Sequence, residues 1–307
     1  MQYIAHRGGS GLRVENTLAA FANAIVLGAA GAELDVHLTR DGEVVVHHDD
    51  KLNPGYCRAA DGQWIDKEHA LTLADSTLAQ LQAFDIGTPR PGSAYAHRYP
   101  RITPMPDQRI PRLADVIALV RAQSDTFCLV VEIKTPLLTA ASRPWLDLVD
   151  ATLAVIKQAD FLDRAILCSF DWGSLVYARQ CQPTLATWFT SSPLSWFNAG
   201  TPPAADIPPA ADELAALRDA FAKGNAPWFG GFDPRRFGGS RPAAIAAAGG
   251  SAWFPYYRDL APPRMAELAR HRLQGAAWSV NLGDPAALAK LADAGADYVC
   301  ADYPDMA

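Results

Sequence analysis

The sequence predicts a single TIM-type (β/α)8 barrel, an α/β fold, and three observations carry that expectation. The chain is 307 residues long, which suits one large α/β domain or two medium ones. Short β-branched or aromatic runs alternate with longer Ala- and Leu-rich stretches, the signature of parallel strands joined by crossover helices. Eight such strand runs can be counted, and eight strand–helix units fit within the roughly 200 to 400 residues that this barrel occupies. A doubly wound open sheet is the rival architecture. Against it, His6-Arg7-Gly8-Gly9-Ser10-Gly11 follows the first strand with the wrong spacing for a G-x-G-x-x-G turn and leads with charge.

Taken in order, the strands are expected at 3–6, 32–38, 127–134, 165–170, 185–189, 252–256, 276–280 and 298–301, where β-branched and aromatic residues concentrate. Helical periodicity falls between them, at 18–27, 113–121, 145–158, 174–180, 263–270 and 285–292. Several of these stretches close on glycine, at Gly28, Gly275 and Gly295, where a left-handed cap is expected. The turn Arg40-Asp41-Gly42 predicts that 43–48 folds back as a hairpin extension of the second strand. Two stretches exceed a minimal barrel. Residues 49 to about 110 are rich in Pro and Gly around one helical pattern near 73–81. Residues 190–250 are broken by Pro202-Pro203, Pro208-Pro209, Gly230-Gly231 and Gly238-Gly239. Both follow strand ends, where barrels of this kind carry their specificity, so both are expected as pocket walls. Residues 1–307 thus read as one domain with insertions at about 49–110 and 190–250.

Composition narrows the partners. Half the residues are hydrophobic, and 33 acids against 27 bases leave a formal charge of −6. That balance offers no broad attraction to phosphate backbones, so no nucleic-acid partner is expected and any anion must be met by a local arrangement. No uninterrupted apolar stretch approaches the ~18 residues of a membrane span. The polar cluster beginning at His6 leaves no room for a secretion signal. Five scattered cysteines, Cys57, Cys128, Cys168, Cys181 and Cys300, form no C-x-x-C pair and fit a reduced, cytoplasmic compartment. The oligomeric state is left open.

Chemistry gathers at the predicted strand ends. Glu33 and Asp35 are two apart on one strand and so share a face; Glu132 and Lys134 do the same on another. Unpaired charges inside a barrel are costly, so these side chains need partners or a metal. Three carboxylates are hard oxygen ligands suited to one divalent cation, Mg2+ or Ca2+. A salt-bridge network through Lys134 is the alternative. His6-Arg7 ends the first strand, and His47-His48-Asp49 ends the hairpin, where alternation allows only one of the two histidines to face inward. His37 is expected at the surface or in the hairpin. Histidines on opposite sides of a phosphorus atom would serve as base and acid for in-line displacement, with Arg7 and Lys134 neutralising phosphoryl oxygens. Phosphodiester cleavage suits this set best. The aromatic residues of the 190–250 stretch, Trp196, Phe197, Trp228, Phe229 and Phe232, could form an apolar wall or simply pack beneath the loop.

At these residues the chain resembles the glycerophosphodiester phosphodiesterase (GDPD) family. The resemblance rests on HRGGSGLRVENTLAAFANAIVLGAAGAELDVHLTRDGEVVVHHD near the N-terminus, then Ile110-Pro111-Arg112-Leu113, Glu132-Ile133-Lys134, Ser169-Phe170-Asp171, Trp278-Ser279-Val280-Asn281 and Ala301-Asp302-Tyr303-Pro304. It implies a metal-dependent TIM-barrel hydrolase that splits a small-molecule glycerophosphodiester into glycerol 3-phosphate and an alcohol. Carried over by residue, it implies His6 and His48 as the acid/base pair, Glu33, Asp35 and Glu132 as metal ligands, and Arg7 and Lys134 as phosphate contacts. It also implies Trp278 as a pocket residue, with barrel core as the equal alternative. Glu15 is expected to buttress the site, and Asn16 or Thr17 to cap the first helix. Val14 stands where the family has proline, and Lys51 to Arg58 replace the usual arginine- and threonine-rich stretch, which bears on substrate preference. Two further readings stand beside this one: a phospholipase D-like hydrolase of lysophospholipids or sphingomyelin, and a catalytically silent barrel that binds a phosphorylated metabolite.

Overall fold

Parallel pairing sets the first strand beside both its successor and the last strand, and this closes the sheet. The computed structural model describes residues 1–138, 145–197, 211–280 and 285–306. The strands are β1 (Gln2–Ala5), β2 (Gly31–Leu38), β3 (Val44–Val46), β4 (Cys128–Ile133), β5 (Ala165–Ser169), β6 (Ala186–Ser191), β7 (Ala252–Pro255), β8 (Gln274–Val280) and β9 (Tyr298–Ala301). Going round from β1, the order β2, β4, β5, β6, β7, β8, β9 returns to β1 through parallel ladders throughout. β3 lies outside the ring, antiparallel to β2, with Val36 opposite Val46. This is the predicted (β/α)8 barrel with its predicted hairpin.

Alternation along each strand divides the apolar residues into two layers. Leu34, Val36, Leu129, Val131, Leu167 and Phe189 face outward and pack against the helices. Ile4, Val130, Cys168, Trp188, Phe254 and Cys300 fill the barrel interior. Inside, the Trp188 ring lies 5.5 Å from Phe254 and 4.8 Å from Tyr298. Ile4 is two residues before His6, Val130 two before Glu132, and Cys168 pairs with Glu132 in the ladder. His6 and Glu132 therefore stand one inward-facing layer above Ile4 and Val130, over an apolar floor that strengthens electrostatic interactions.

Residues between β3 and β4 carry a cluster of their own, with Leu52, Tyr56, Leu73, Leu81, Ile86 and Ile110 buried together with Val14 and Val45. The helical pattern near 73–81 contracts to the single turn Leu78–Leu81, closed by the Thr77/Gln80 capping box, and a second short helix, Ala94–Arg98, lies further on. The 190–250 stretch contains helices Ala211–Ala222 and Arg241–Ala247. Pro202-Pro203, Pro208-Pro209 and Asn281 lie outside the described residues. Gly28 and Gly295 take the expected left-handed conformation, with φ of 79° and 81°. Gly275 does not. It belongs to β8, where a Cβ would meet Met265 Sδ at 2.5 Å, and the left-handed residue after the preceding helix is Arg272 (φ 57°).

Gly8 is required on two counts. Its φ is +80°, and an added Cβ would lie 2.8 Å from Ala20 Cβ and 3.0 Å from the backbone of Ala20 and Phe21. Gly8→Ala is expected to lose at least about 1 kcal/mol of stability, since strain and steric clash add. Urea denaturation checks this.

Candidate active site

The turn after β1 aims the first pair of functional side chains. Arg7 sits in the left-handed region (φ 51°, ψ 35°), a conformation costing roughly 1–2 kcal/mol for a residue with a Cβ. Three ties hold it there. Its backbone N–H donates to Glu33 Oε2 at 3.2 Å, its carbonyl accepts from the Asn16 N–H at 3.0 Å, and its Nη1 donates to Glu15 Oε1 at 2.8 Å. Glu15 thus holds the Arg7 guanidinium in place. Thr17 caps the helix Leu18–Val26, its Oγ1 accepting from Ala20 N–H at 3.1 Å. Asn16, expected as an alternative cap, instead donates from Nδ2 to Asp35 Oδ2 at 2.8 Å. The sequence reading offered no signal for that link, because Asn16 reaches it through a left-handed backbone (φ 56°).

Glu33, Asp35 and Glu132 come together, with one oxygen of each within 4.8 Å of the others. Adjacent registry on β2 and β4 puts Asp35 directly opposite Glu132. Lys134 Nζ lies 3.1 Å from Asp35 Oδ1 and 3.0 Å from Glu132 Oε1, and Arg7 Nε lies 3.3 Å from Asp35 Oδ2. Burial alone would raise the proton affinity of Asp35, but Lys134 and Arg7 outweigh it and hold this carboxyl well below the usual range. Glu33 goes the other way. Burial, then Asp35 and Glu132, push it well above the usual range; it accepts the Arg7 backbone N–H at 3.2 Å, and His6 Nε2 lies 3.8 Å away. Glu132 is likewise raised, by burial first, with Lys134 opposing. Ionised together, the three carboxylates would exceed the charge of Arg7 and Lys134, and that repulsion adds to burial in raising Glu33. An all-carboxylate set with that surplus fits a hard divalent cation.

The two histidines are arranged alike. His6 Nδ1 is 2.5 Å from Asp302 Oδ1, and His48 Nδ1 is 2.8 Å from Asp49 Oδ1. His48 has its pKa lowered to about 4, by burial first and then by Arg7 and Lys134, so it is neutral near pH 7. His47 turns the other way: it is buried, its Nε2 lies 3.1 Å from Lys51 O, and its ring meets Tyr56 edge-on at 5.9 Å. Alternation is thereby resolved in favour of His48 at the cavity. His37, expected at the surface or in the hairpin, has its Nε2 3.1 Å from the His48 carbonyl and so props the backbone of that residue.

His6, Arg7, Glu33, His48, Glu132 and Lys134 line a single cavity of about 210 Å3 at the C-terminal ends of the strands. Trp278 lines it too, its ring 5.5 Å from Phe170 and 5.6 Å from Tyr256, while packing against the barrel-interior cluster. The β8–β9 ladder shifts register between Ala277 and Val280, with Ser279 at φ 63°. Asp302, Arg98 and Cys300 complete the wall but were not singled out as site residues in the sequence. For Asp302 a signal existed, the Ala-Asp-Tyr-Pro match at the end of the chain. Arg98 had none, since the helix that carries it, Ala94–Arg98, is too short for periodicity to register.

A closed parallel barrel that gathers two aspartate-backed histidines and a carboxylate cluster at its strand ends has the form of a barrel hydrolase. Residues 6–306 match the Glycerophosphoryl diester phosphodiesterase family, and the chain belongs to that family. A glycerophosphodiester phosphodiesterase from Caldanaerobacter subterraneus subsp. tengcongensis is 34% identical over 182 residues, covering 59% of this chain and 63% of that protein. The alignment therefore spans less than two thirds of that relative. A crystal structure from Silicibacter pomeroyi DSS-3, of a protein assigned to the glycerophosphoryl diester phosphodiesterases, superposes with a TM-score of 0.80 at 28% identity, over 99% of this chain and 90% of that one. An Oleispira antarctica phosphodiesterase, solved in complex with the product sn-glycerol-3-phosphate, matches in fold with a TM-score of 0.67 at 22% identity, over 100% of this chain and 94% of that one. Among the described residues no helix is long and apolar enough to cross a membrane.

Proposed function

We propose that this chain hydrolyses glycerophosphodiesters to glycerol 3-phosphate and an alcohol, acting as one barrel unit with the 49–110 and 190–250 segments as walls. The observation that carries this reading is the convergence of His6 and His48 with a charge-surplus carboxylate cluster on one cavity. Glu33, Asp35 and Glu132 would hold one Mg2+ or Ca2+. When bound, that ion supplies charge neutralisation for the phosphoryl oxygens. Arg7 and Lys134, already fixed by Glu15, Asp35 and Glu132, present cationic N–H groups to the phosphate without reorganising. His6 and His48 move the protons, one taking the proton of the attacking nucleophile and the other supplying one to the leaving alcohol. Incubation with glycerophosphocholine should release sn-glycerol 3-phosphate. Absence of that product over a panel of diesters and both cations, with a phosphorylated ligand still bound, would point instead to the silent barrel.

Metal binding is expected to tighten as pH rises. Glu33 has a raised proton affinity, so a proton competes with the ion; the competition is strongest at low pH and fades as pH climbs through the elevated pKa. Isothermal titration in buffers of different ionisation enthalpy should show proton release on binding.

A second compartment of about 360 Å3 adjoins the first across His48, Glu132, Lys134, Phe170 and Trp278. Leu137, Trp196 and Leu217 give it an apolar wall, which favours the lysophospholipase D-type reading as the second one. Choline release from glycerophosphocholine and from lysophosphatidylcholine, measured side by side, separates the two. A kcat/KM at least about tenfold higher for the acylated substrate is expected if an alkyl segment is buried there, since ten-fold requires only ~1.4 kcal/mol.

A further inference from the structure

The carboxylate behind His6 differs in kind from the one behind His48. Asp302 follows β9 at the end of the barrel. It is 3% exposed, whereas the Asp49 side chain is 40% exposed. Ser10 Oγ donates to the same Asp302 Oδ1 at 2.7 Å that His6 Nδ1 meets, and the Asp302 carbonyl accepts the Gly11 N–H at 2.8 Å. The loop after β1 and the end of β9 are thus tied at three points around one aspartate. Asp49, by contrast, receives His48 and Asn53 Nδ2 at a solvent-facing edge.

We propose that Asp302 is the positioning residue of the reaction: it fixes the His6 ring and tautomer so that Nε2, free of hydrogen, is the atom turned toward the carboxylate cluster. This rests on the function proposed above and extends it to a residue that does not itself reach the reacting atoms. An ionised carboxylate only accepts hydrogen bonds, so the nitrogen facing it must carry the proton, and neutral imidazole then has its lone pair on the other nitrogen. Asp302 meets that condition. Burial opposes its ionisation, but the side-chain hydrogen bonds from His6 Nδ1 at 2.5 Å and Ser10 Oγ at 2.7 Å favour the carboxylate. Nε2 in turn lies 3.8 Å from Glu33 Oε2, inside the cavity. Arg98 and Tyr99, from the 49–110 segment, and Cys300 and Tyr303, from the end of the chain, also face this pair.

The test has two arms that fail separately. In the first, protein labelled with 15N-histidine, free of metal and substrate, is observed through long-range 1H–15N correlations, with His6 assigned by its disappearance in His6→Ala. The proton is expected on Nδ1 in the native chain and shifted in part or wholly to Nε2 in Asp302→Asn. A native His6 carrying its proton on Nε2 overturns the proposal, whatever the activity. In the second, glycerophosphocholine hydrolysis is measured for Asp302→Asn and Asp49→Asn. Loss of an orienting carboxylate is expected to lower kcat by roughly 100-fold or more for Asp302→Asn, with KM within about threefold and a smaller fall for Asp49→Asn. A kcat within about threefold of native for Asp302→Asn, or a loss expressed only in KM, overturns it. If Asp302→Asn does not fold, as read by circular dichroism, the native spectrum decides alone. An inactive native enzyme would count against the function proposed above and leave the spectral arm to judge Asp302.

Discussion

Removing divalent cations with a chelator should abolish turnover of a glycerophosphodiester, and Glu33→Ala should reproduce that loss in the presence of saturating Mg2+ or Ca2+. The expected fall in kcat/KM is about three orders of magnitude, equivalent to ~4 kcal/mol of transition-state stabilisation. Glu33 is the informative choice among the three carboxylates. Asp35 is held by Lys134, Arg7 and Asn16, and Glu132 by Lys134, so removing either also takes an ion-pair partner from a buried cation and confounds charge with packing. Among the described residues Glu33 has no Lys or Arg side chain within ion-pair distance, and its removal relieves repulsion in the apo cluster. Glu33→Ala is therefore expected to raise the melting temperature of the metal-free protein while eliminating the stabilisation that added cation gives the native chain. Stability and activity moving in opposite directions separates a ligand from a structural carboxylate. Native-like turnover in Glu33→Ala would remove the metal from the mechanism.

The barrel was legible because its signals are local and repeated. Each strand of four to eight residues, with Leu34 and Val36 set against Glu33 and Asp35 as the example, carries its own facing, and eight of them in order leave few topologies. The carboxylate cluster was legible for the same reason, since strand periodicity fixes direction without knowledge of neighbours. What escaped depends on positive-φ backbone and on distant closure. Asn16 reaches Asp35 only because its own φ is 56°, and Asp302 meets His6 across 296 residues of chain. The second helix of the 49–110 segment, Ala94–Arg98, is five residues long and held by Ser93 at its N-cap, too short for periodicity to register. The choice between His47 and His48 needed the direction of the hairpin's last residue, which the aromatic packing of His47 on Tyr56 decides.

That choice makes the histidines the sharpest remaining test. His48→Ala and His6→Ala are each expected to lower kcat by roughly 100- to 10,000-fold, the usual worth of a positioned proton-transfer group. His47→Ala should leave kcat within a few-fold of native and act on stability instead, because it opens space beside Tyr56 and Val45 in the buried cluster of the 49–110 segment. The leaving group would then tell an acid histidine from a base histidine. An alkyl alcohol needs a proton as its bond to phosphorus breaks, whereas 4-nitrophenolate leaves unaided. The variant that lacks the general acid should therefore recover most of its rate on a 4-nitrophenyl diester, and the variant that lacks the general base should not. His48 is neutral near pH 7, and lowering the pH through about 4 converts it to imidazolium. If His48 is the base, its contribution is present above that pH and lost below it; if it is the acid, it must first receive a proton, and the rate on alkyl diesters should rise toward lower pH until the carboxylate cluster protonates. Equal losses for both variants on both leaving groups would mean that the histidines bind or position substrate, and the acid/base assignment would fall with them.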